Sequence, residues 1–134
     1  MAQLANKTES QALTKVPAPA WVLAFFEDID AKRFGSGFDC FAPDAEMRFG
    51  VAHWRGLDEI KTHLKKFDYG MDTKHTVTEF WDGGAVKVVR GEVMMKRHDT
   101  GRVVTPAMVH IFYMSPDNPT KAQSSYGAVG PTEF

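Results

Sequence analysis

Asp30 and His75 are the two residues of this chain whose types and settings point most directly to chemistry. Asp30 closes the first helical run, in FFEDIDAKRF, and His75 opens the first long strand run, in KHTVTEFW. The order of elements around them predicts that they meet at the mouth of one apolar pocket. A carboxylate that orients an imidazole can move protons on an organic substrate, because the imidazole changes charge near neutral pH. An aspartate near a helix C-terminus is opposed by the helix dipole, so something outside the helix is expected to hold it. His110, in PAMVHIFYM, is the third candidate. Strand parity puts Met108, His110 and Phe112 on one face. There His110 is either a satisfied core histidine or a neutral donor aimed at an oxyanion.

The remaining candidates would bind rather than react. Phe26, Phe49 and Phe112, with Met94, Met95 and Met108, suit an adaptable apolar lining; plain core filling is the commoner role for any single such residue. Trp54, on the loop after the first strand, either caps the pocket mouth or makes a dimer contact. Arg48 and Glu92 are strand-borne charges. Facing inward, Arg48 would need a carboxylate partner, because an unpaired buried charge is very costly; facing outward, both are ordinary surface charges. Tyr113 has the opposite parity to His110 and is expected at an interface.

Other chemistries find little support. The five histidines show no HxH or HExxH spacing and there is one cysteine, so no metal site is expected. Cys40, in GFDCFAP, reads as a small buried apolar residue, with no adjoining positive group to make it a nucleophile. The GSG at 35–37 lies between helices and lacks the lysine of a phosphate loop. No cofactor is expected. With 16 Lys+Arg against 17 Asp+Glu, the net charge of −1 argues against a nucleic-acid partner. No apolar run is long enough for a membrane span. A lone cysteine and the absence of a signal-like start lead to the expectation of a reducing, cytoplasmic setting.

The elements that must position these residues are readable from periodicity. Residues 1–18 read as a flexible N-terminal arm, and 19–134 as one domain. Trp21, Val22, Phe25, Phe26 and Ile29 recur at helical spacing between Ala20 and Lys32. A short second helix is expected to end at Pro43, followed by a short strand, AEMRFG. GLDEIKTHLKKF reads as a third helix with Leu57, Ile60, Leu64 and Phe67 on one stripe. KHTVTEFW, AVKVVRGEVMMKR, RVVTPAMVHIFYM and KAQSSYGAV then read as a meander of antiparallel strands joined by DGG, HDTG and SPDNP turns. Helices first and strands after give an α+β domain, with a strongly curved antiparallel sheet wrapped around three N-terminal helices.

This order resembles the nuclear-transport-factor-2-like cone, and within it the SnoaL-like cyclases and scytalone-dehydratase-like enzymes. IDAKRFGSGFDCFAPDAEMRF, GLDEIKTHLKKF, KHTVTEFW and YGAVGPTEF carry the resemblance. It implies that Asp30 and His75 match the Asp and His of the dehydratases, where the His is general acid/base and the Asp orients it. Phe49 and Ile29 stand where those enzymes have substrate-binding tyrosines. Against ketosteroid isomerases, Phe25, Phe49 and His110 replace the oxyanion tyrosine, the base and the oxyanion aspartate. Ala128 stands at the position of the cyclase tail aspartate.

Two functions follow as expectations. One is a small cofactor-independent lyase or isomerase: a dehydratase, cyclase or rearrangement catalyst acting on an apolar polyketide- or terpenoid-like substrate. The other is a non-catalytic small-molecule carrier or protein-protein adaptor on the same fold. A homodimer is expected through the outer faces of the long strands, which carry apolar residues at both parities. The tail from Tyr126 to Phe134 is expected to fold back over the pocket.

Overall fold

The computed structural model describes residues 12–132. Strand β1 (Thr14–Lys15) precedes helix α1 (Ala20–Asp30), a 3-10 turn (Ser36–Cys40), β2 (Phe41–Phe49) and β3 (Ala52–Arg55). Helix α2 (Leu57–Asp68) follows, then β4 (Met71–Asp82), β5 (Val86–Arg97), β6 (Val103–Val104), β7 (Ala107–Met114) and β8 (Ala122–Val129). The strands form one sheet in the order β1-β4-β5-β7-β8-β2-β3, with β6 on β5. The sheet curves around α1 without closing, which is the expected α+β architecture.

Each helix is cut from the sequence by local signals. Pro19 stands at the N-cap of α1, where a missing N–H costs nothing. Val22, Phe25, Phe26 and Ile29 are buried on one stripe. Helix α2 has Asp58 and Glu59 in its first turn and Lys65 and Lys66 in its last, each opposite in sign to the dipole end it occupies. The core is strongly aromatic. Phe25 packs edge-on against Phe26, Phe38, Phe41 and Phe112, with ring centroids 5.0–5.8 Å apart.

Several details differ from the reading of the sequence. The second helix is only a 3-10 turn, and the chain is already a strand at Phe41. Phe41, Ala45 and Met47 are the buried positions of β2. Pro43 is exposed where the ladder to β8 is irregular and β3 has not yet begun to pair, so no hydrogen bond is lost. The sheet is mixed rather than wholly antiparallel, because β8, the last strand of the meander, lies parallel to β2. The third long strand is interrupted at Pro106, leaving β6 and β7 as separate pieces on β5. Of the arm over 1–18, Thr14–Lys15 pairs with the edge of β4, and residues 1–11 lie outside the described residues. Phe67 leaves the apolar stripe of α2 and is 45% exposed, while Asp68 is buried in its place.

Sheet curvature depends on one close approach. A Cβ on Gly91 would stand 2.0 Å from the carbonyl oxygen of Thr76. The β4–β5 register shifts beside it, between Val77 and Glu79, and such bulges bend and twist a strand pair. This bend carries the first half of β4, with His75, over the C-terminal end of α1.

Candidate active site

Asp30 is the last residue of α1, and β4 runs past it. Its Oδ1 lies 2.6 Å from Nδ1 of His75 and accepts from Thr73 Oγ1 at 2.9 Å. Its Oδ2 accepts from the backbone N–H of His75 at 2.8 Å. These donors hold the carboxylate that the helix dipole opposes. Burial works to raise the Asp30 pKa. The hydrogen bond and charge of His75, with the bonds from the His75 N–H and Thr73, outweigh it and leave the carboxyl below its ordinary value. With Nδ1 turned to the carboxylate, Nε2 is the nitrogen left free to take or give a proton.

His75 stands between two openings. On one side it shares a surface groove with Asp30, Glu27, Lys74 and Val77. On the other it lines an internal cavity with Phe26, Ile29, Phe49, Leu64, Phe67, Asp68, Thr73, Val93, Met95, Met108, His110 and Val129. The His75 ring stacks on Phe26, with centroids 4.9 Å apart. The cavity measures about 40 Å³, room for about three waters. Phe67 and Met95 also line an open vestibule of about 820 Å³ with Lys32, Tyr69, Arg97, His98 and Thr132. The cavity and the vestibule therefore meet at the Phe67 and Met95 side chains.

His110 faces inward as parity predicts and is 8% exposed. Its Nε2 is buried without a hydrogen-bond partner among the described residues. Burial, and then the nearby His75 charge, push its pKa down to about 3, so the ring is neutral near pH 7. It stacks on Phe112 and meets Phe25 and Phe26 edge-on. A buried polar atom without a partner is an exception in folded proteins. Here it lies on a cavity wall.

The other candidates divide. Phe26, Phe49 and Met108 line the cavity. Phe112 does not; it is fully buried behind His110 among Trp21, Phe25 and Phe41. Met94 is also off the wall. The lining residues of β5 are Val93 and Met95, so alternation turns Met94 to the outer face. Arg48 is exposed in an outer groove with Glu46, His53, Tyr113 and Tyr126, which excludes the inward pair. Trp54 packs on Phe49 and stacks on His63 rather than lining the cavity. Cys40 is buried, and burial pushes its thiol up to about 12, the inert state expected of it. In the tail, Val129 lines the cavity and Thr132 the vestibule; Glu133 and Phe134 lie outside the described residues.

Three residues of the site escaped the reading of the sequence: Thr73, Lys32 and Asp68. Thr73 shares the parity of His75, two positions before it. Asp68 follows Ile60 and Leu64 at helical spacing, so a carboxylate on an apolar stripe was the available signal. Nothing in the sequence marks Lys32.

No protein-family profile and no curated protein matches the sequence. Solved structures do match in fold. An NTF2-like protein of unknown function from Burkholderia pseudomallei has a TM-score of 0.72 at 17% identity, over 82% of this chain and 88% of that one. A hypothetical protein with a ketosteroid isomerase-like fold from Catenulispora acidiphila, in complex with trimethylamine, has a TM-score of 0.72 at 13% identity, over 82% and 85%. A putative SnoaL-like polyketide cyclase from Shewanella putrefaciens has a TM-score of 0.64 at 10% identity, over 81% and 86%. The fold is nuclear-transport-factor-2-like, as the resemblance implied.

Proposed function

We propose that the protein is a cofactor-independent lyase or isomerase that moves a proton on an apolar, polyketide- or terpenoid-like small molecule. The observation that carries this reading is the 2.6 Å contact between His75 Nδ1 and Asp30 Oδ1, with the same ring on the wall of an apolar cavity. His75 Nε2 takes a proton from carbon and returns it elsewhere on the substrate. Asp30 fixes the tautomer and stabilises the imidazolium. His110 Nε2, which has no partner among the described residues, hydrogen-bonds a substrate oxygen. The apolar wall keeps water from competing. The neighbours described as a polyketide cyclase and as ketosteroid isomerase-like in fold support the general type of chemistry.

The narrow cavity limits how a substrate enters. Drug-sized ligands occupy roughly 300–1,000 Å³, far more than the cavity offers. The substrate's reacting end enters past Phe67 while the rest lies in the vestibule. The same narrowness favours the second reading, a binding module without turnover. A mass-spectrometric screen of polyketide- and terpenoid-type ketones and alcohols, with wild type and His75→Ala, separates the two. Conversion by wild type alone is expected. Equal retention of an unchanged compound by both proteins would establish the binding module instead.

A further inference from the structure

Among the described residues Asp68 is the one carboxylate that lines the cavity, and no role for it follows from Asp30 and His75. It ends α2 and is 3% exposed. Lys32 Nζ reaches its Oδ2 at 3.1 Å and its backbone carbonyl at 3.0 Å, and also meets the Met71 carbonyl. Among the described residues Lys32 is the only side chain that hydrogen-bonds this carboxyl, so Oδ1 is left without a donor. Lys32 does this from φ 58°, a left-handed conformation that residues with a side chain seldom adopt. The backbone just past Asp30 is thus bent so that one residue of the segment holds His75 and another holds Asp68.

We propose that Asp68 is a second catalytic, proton-handling carboxyl of this cavity, donating to the substrate oxygen while His75 accepts from carbon, with Lys32 as its positioning residue. The proposal rests on the reading of His75 as a proton acceptor. In the step it serves, a substrate C–H bond breaks and its proton goes to His75 Nε2. The C–H electrons form a C=C bond, and the carbonyl π pair moves onto oxygen. That oxygen takes the Asp68 proton and becomes an enol. Asp68 is left ionised against Lys32 and His75 is left protonated against Asp30, so charge balances within the site and no oxidant or reductant is needed. Return of the proton from His75 to Asp68, through the substrate or a water, resets both.

The surroundings fit this division of labour. The charged and titratable groups around Asp68 are Lys32 and Asp30 from the end of α1, His75 from β4 and, on the same cavity, His110 from β7. Burial raises the Asp68 pKa; Lys32 and the His75 charge only partly offset it, while Asp30 adds to it. Asp30 is shifted the opposite way. Two carboxyls whose environments push them apart are suited to opposite halves of a proton transfer.

The test is a carbon-13 NMR titration of the aspartate carboxyls in the full chain, with Asp68→Asn assigning the Asp68 signal. Asp68 should still hold its proton at pH values where Asp30 is already ionised. Lys32→Met should raise the Asp68 midpoint further while leaving Asp30 nearly unmoved; Lys32→Gln, which keeps a donor, serves if Lys32→Met fails to fold, and should raise it less. Asp68 ionising with or before Asp30, or ignoring the loss of the Lys32 charge, overturns the proposal and leaves the dyad standing. If instead the Asp30 midpoint ignores His75→Ala, the dyad reading falls and takes the proposal with it, whatever Asp68 does.

Discussion

Gly127 and His110 face each other across the β7–β8 ladder, and a Cβ on Gly127 would stand 2.7 Å from Cε1 of the imidazole. The ring is pressed onto the backbone of the neighbouring strand on one side and onto Phe112 on the other. Its position on the cavity wall is therefore set by a missing side chain. Gly127→Ala must push the ring out of place or move β8. Overpacking of this kind costs about 1–3 kcal/mol. A denaturant titration should show a midpoint lowered accordingly, and the His110 ring resonances should move. An unchanged midpoint with unchanged ring shifts would mean that the contact relaxes freely.

Acid should find the protein through His110. Its pKa is depressed to about 3 in the fold against an ordinary 6.5, so below pH 6.5 the unfolded chain binds the proton that the folded chain refuses. Stability then falls as pH falls, from the unfolded value down through the folded one. Between pH 6.5 and 5 the loss is about 2 kcal/mol, at about 1.36 kcal/mol for each pH unit. Asp30 acts in a different window. Its carboxyl is held low by its partners, so its contribution is lost only as pH drops through the carboxylate range. Denaturant midpoints at pH 7 and pH 5 should differ clearly in wild type and much less in His110→Leu. Equal slopes in the two proteins would show that His110 is not held neutral.

Once a substrate is in hand, the dyad makes a kinetic prediction. His75→Ala removes the proton carrier and should lower kcat by about 10²–10⁴-fold. Asp30→Asn keeps the shape but removes the charge, and should lower it by less. The double variant should be little worse than His75→Ala, because groups acting as one unit give non-additive losses. Additive losses in stopped-flow or steady-state assays would show two independent roles.

The outer face of the sheet should join two copies of the chain. Val109, Tyr113 and Tyr126 are 38–43% exposed on β7 and β8, an apolar set that suits a second surface better than water. Light scattering should report a dimer at micromolar concentration. Val109→Lys with Tyr113→Lys should give a folded monomer. A wild-type monomer at that concentration would contradict the pairing.

Much of the fold could be read from periodicity, because a buried face writes its own repeat. The stripe Val22, Phe25, Phe26 and Ile29 and the alternation of Met108, His110 and Phe112 both stand as expected. The errors fall where a local signal competes with tertiary context. Pro43 looked like the end of a helix because proline is a breaker, yet it sits harmlessly in a poorly paired stretch of β2. Val93 and Met95 rather than Met94 line the cavity because register, not composition, chooses the face. The parallel pairing of β2 with β8 joins segments far apart in the chain and leaves no local trace. Within the site, the Asp30–His75 pair could be anticipated from residue type. Asp68 left a carboxylate on an apolar stripe, but its pairing with Lys32 could not be anticipated, since it depends on where two helix ends happen to meet.

The most direct measurement is a carbon-13 NMR titration of Asp30 in wild type and in His75→Ala, which needs no substrate. In wild type the carboxyl lies 2.6 Å from the His75 ring. Burial works to raise its pKa, and the hydrogen bond and charge of His75 lead the groups that hold it below the ordinary value. In His75→Ala those are gone while Thr73 still donates, so the Asp30 midpoint should move to higher pH. An Asp30 midpoint that is the same in both proteins would mean that the two side chains are not coupled, and that this cavity holds no acid/base dyad.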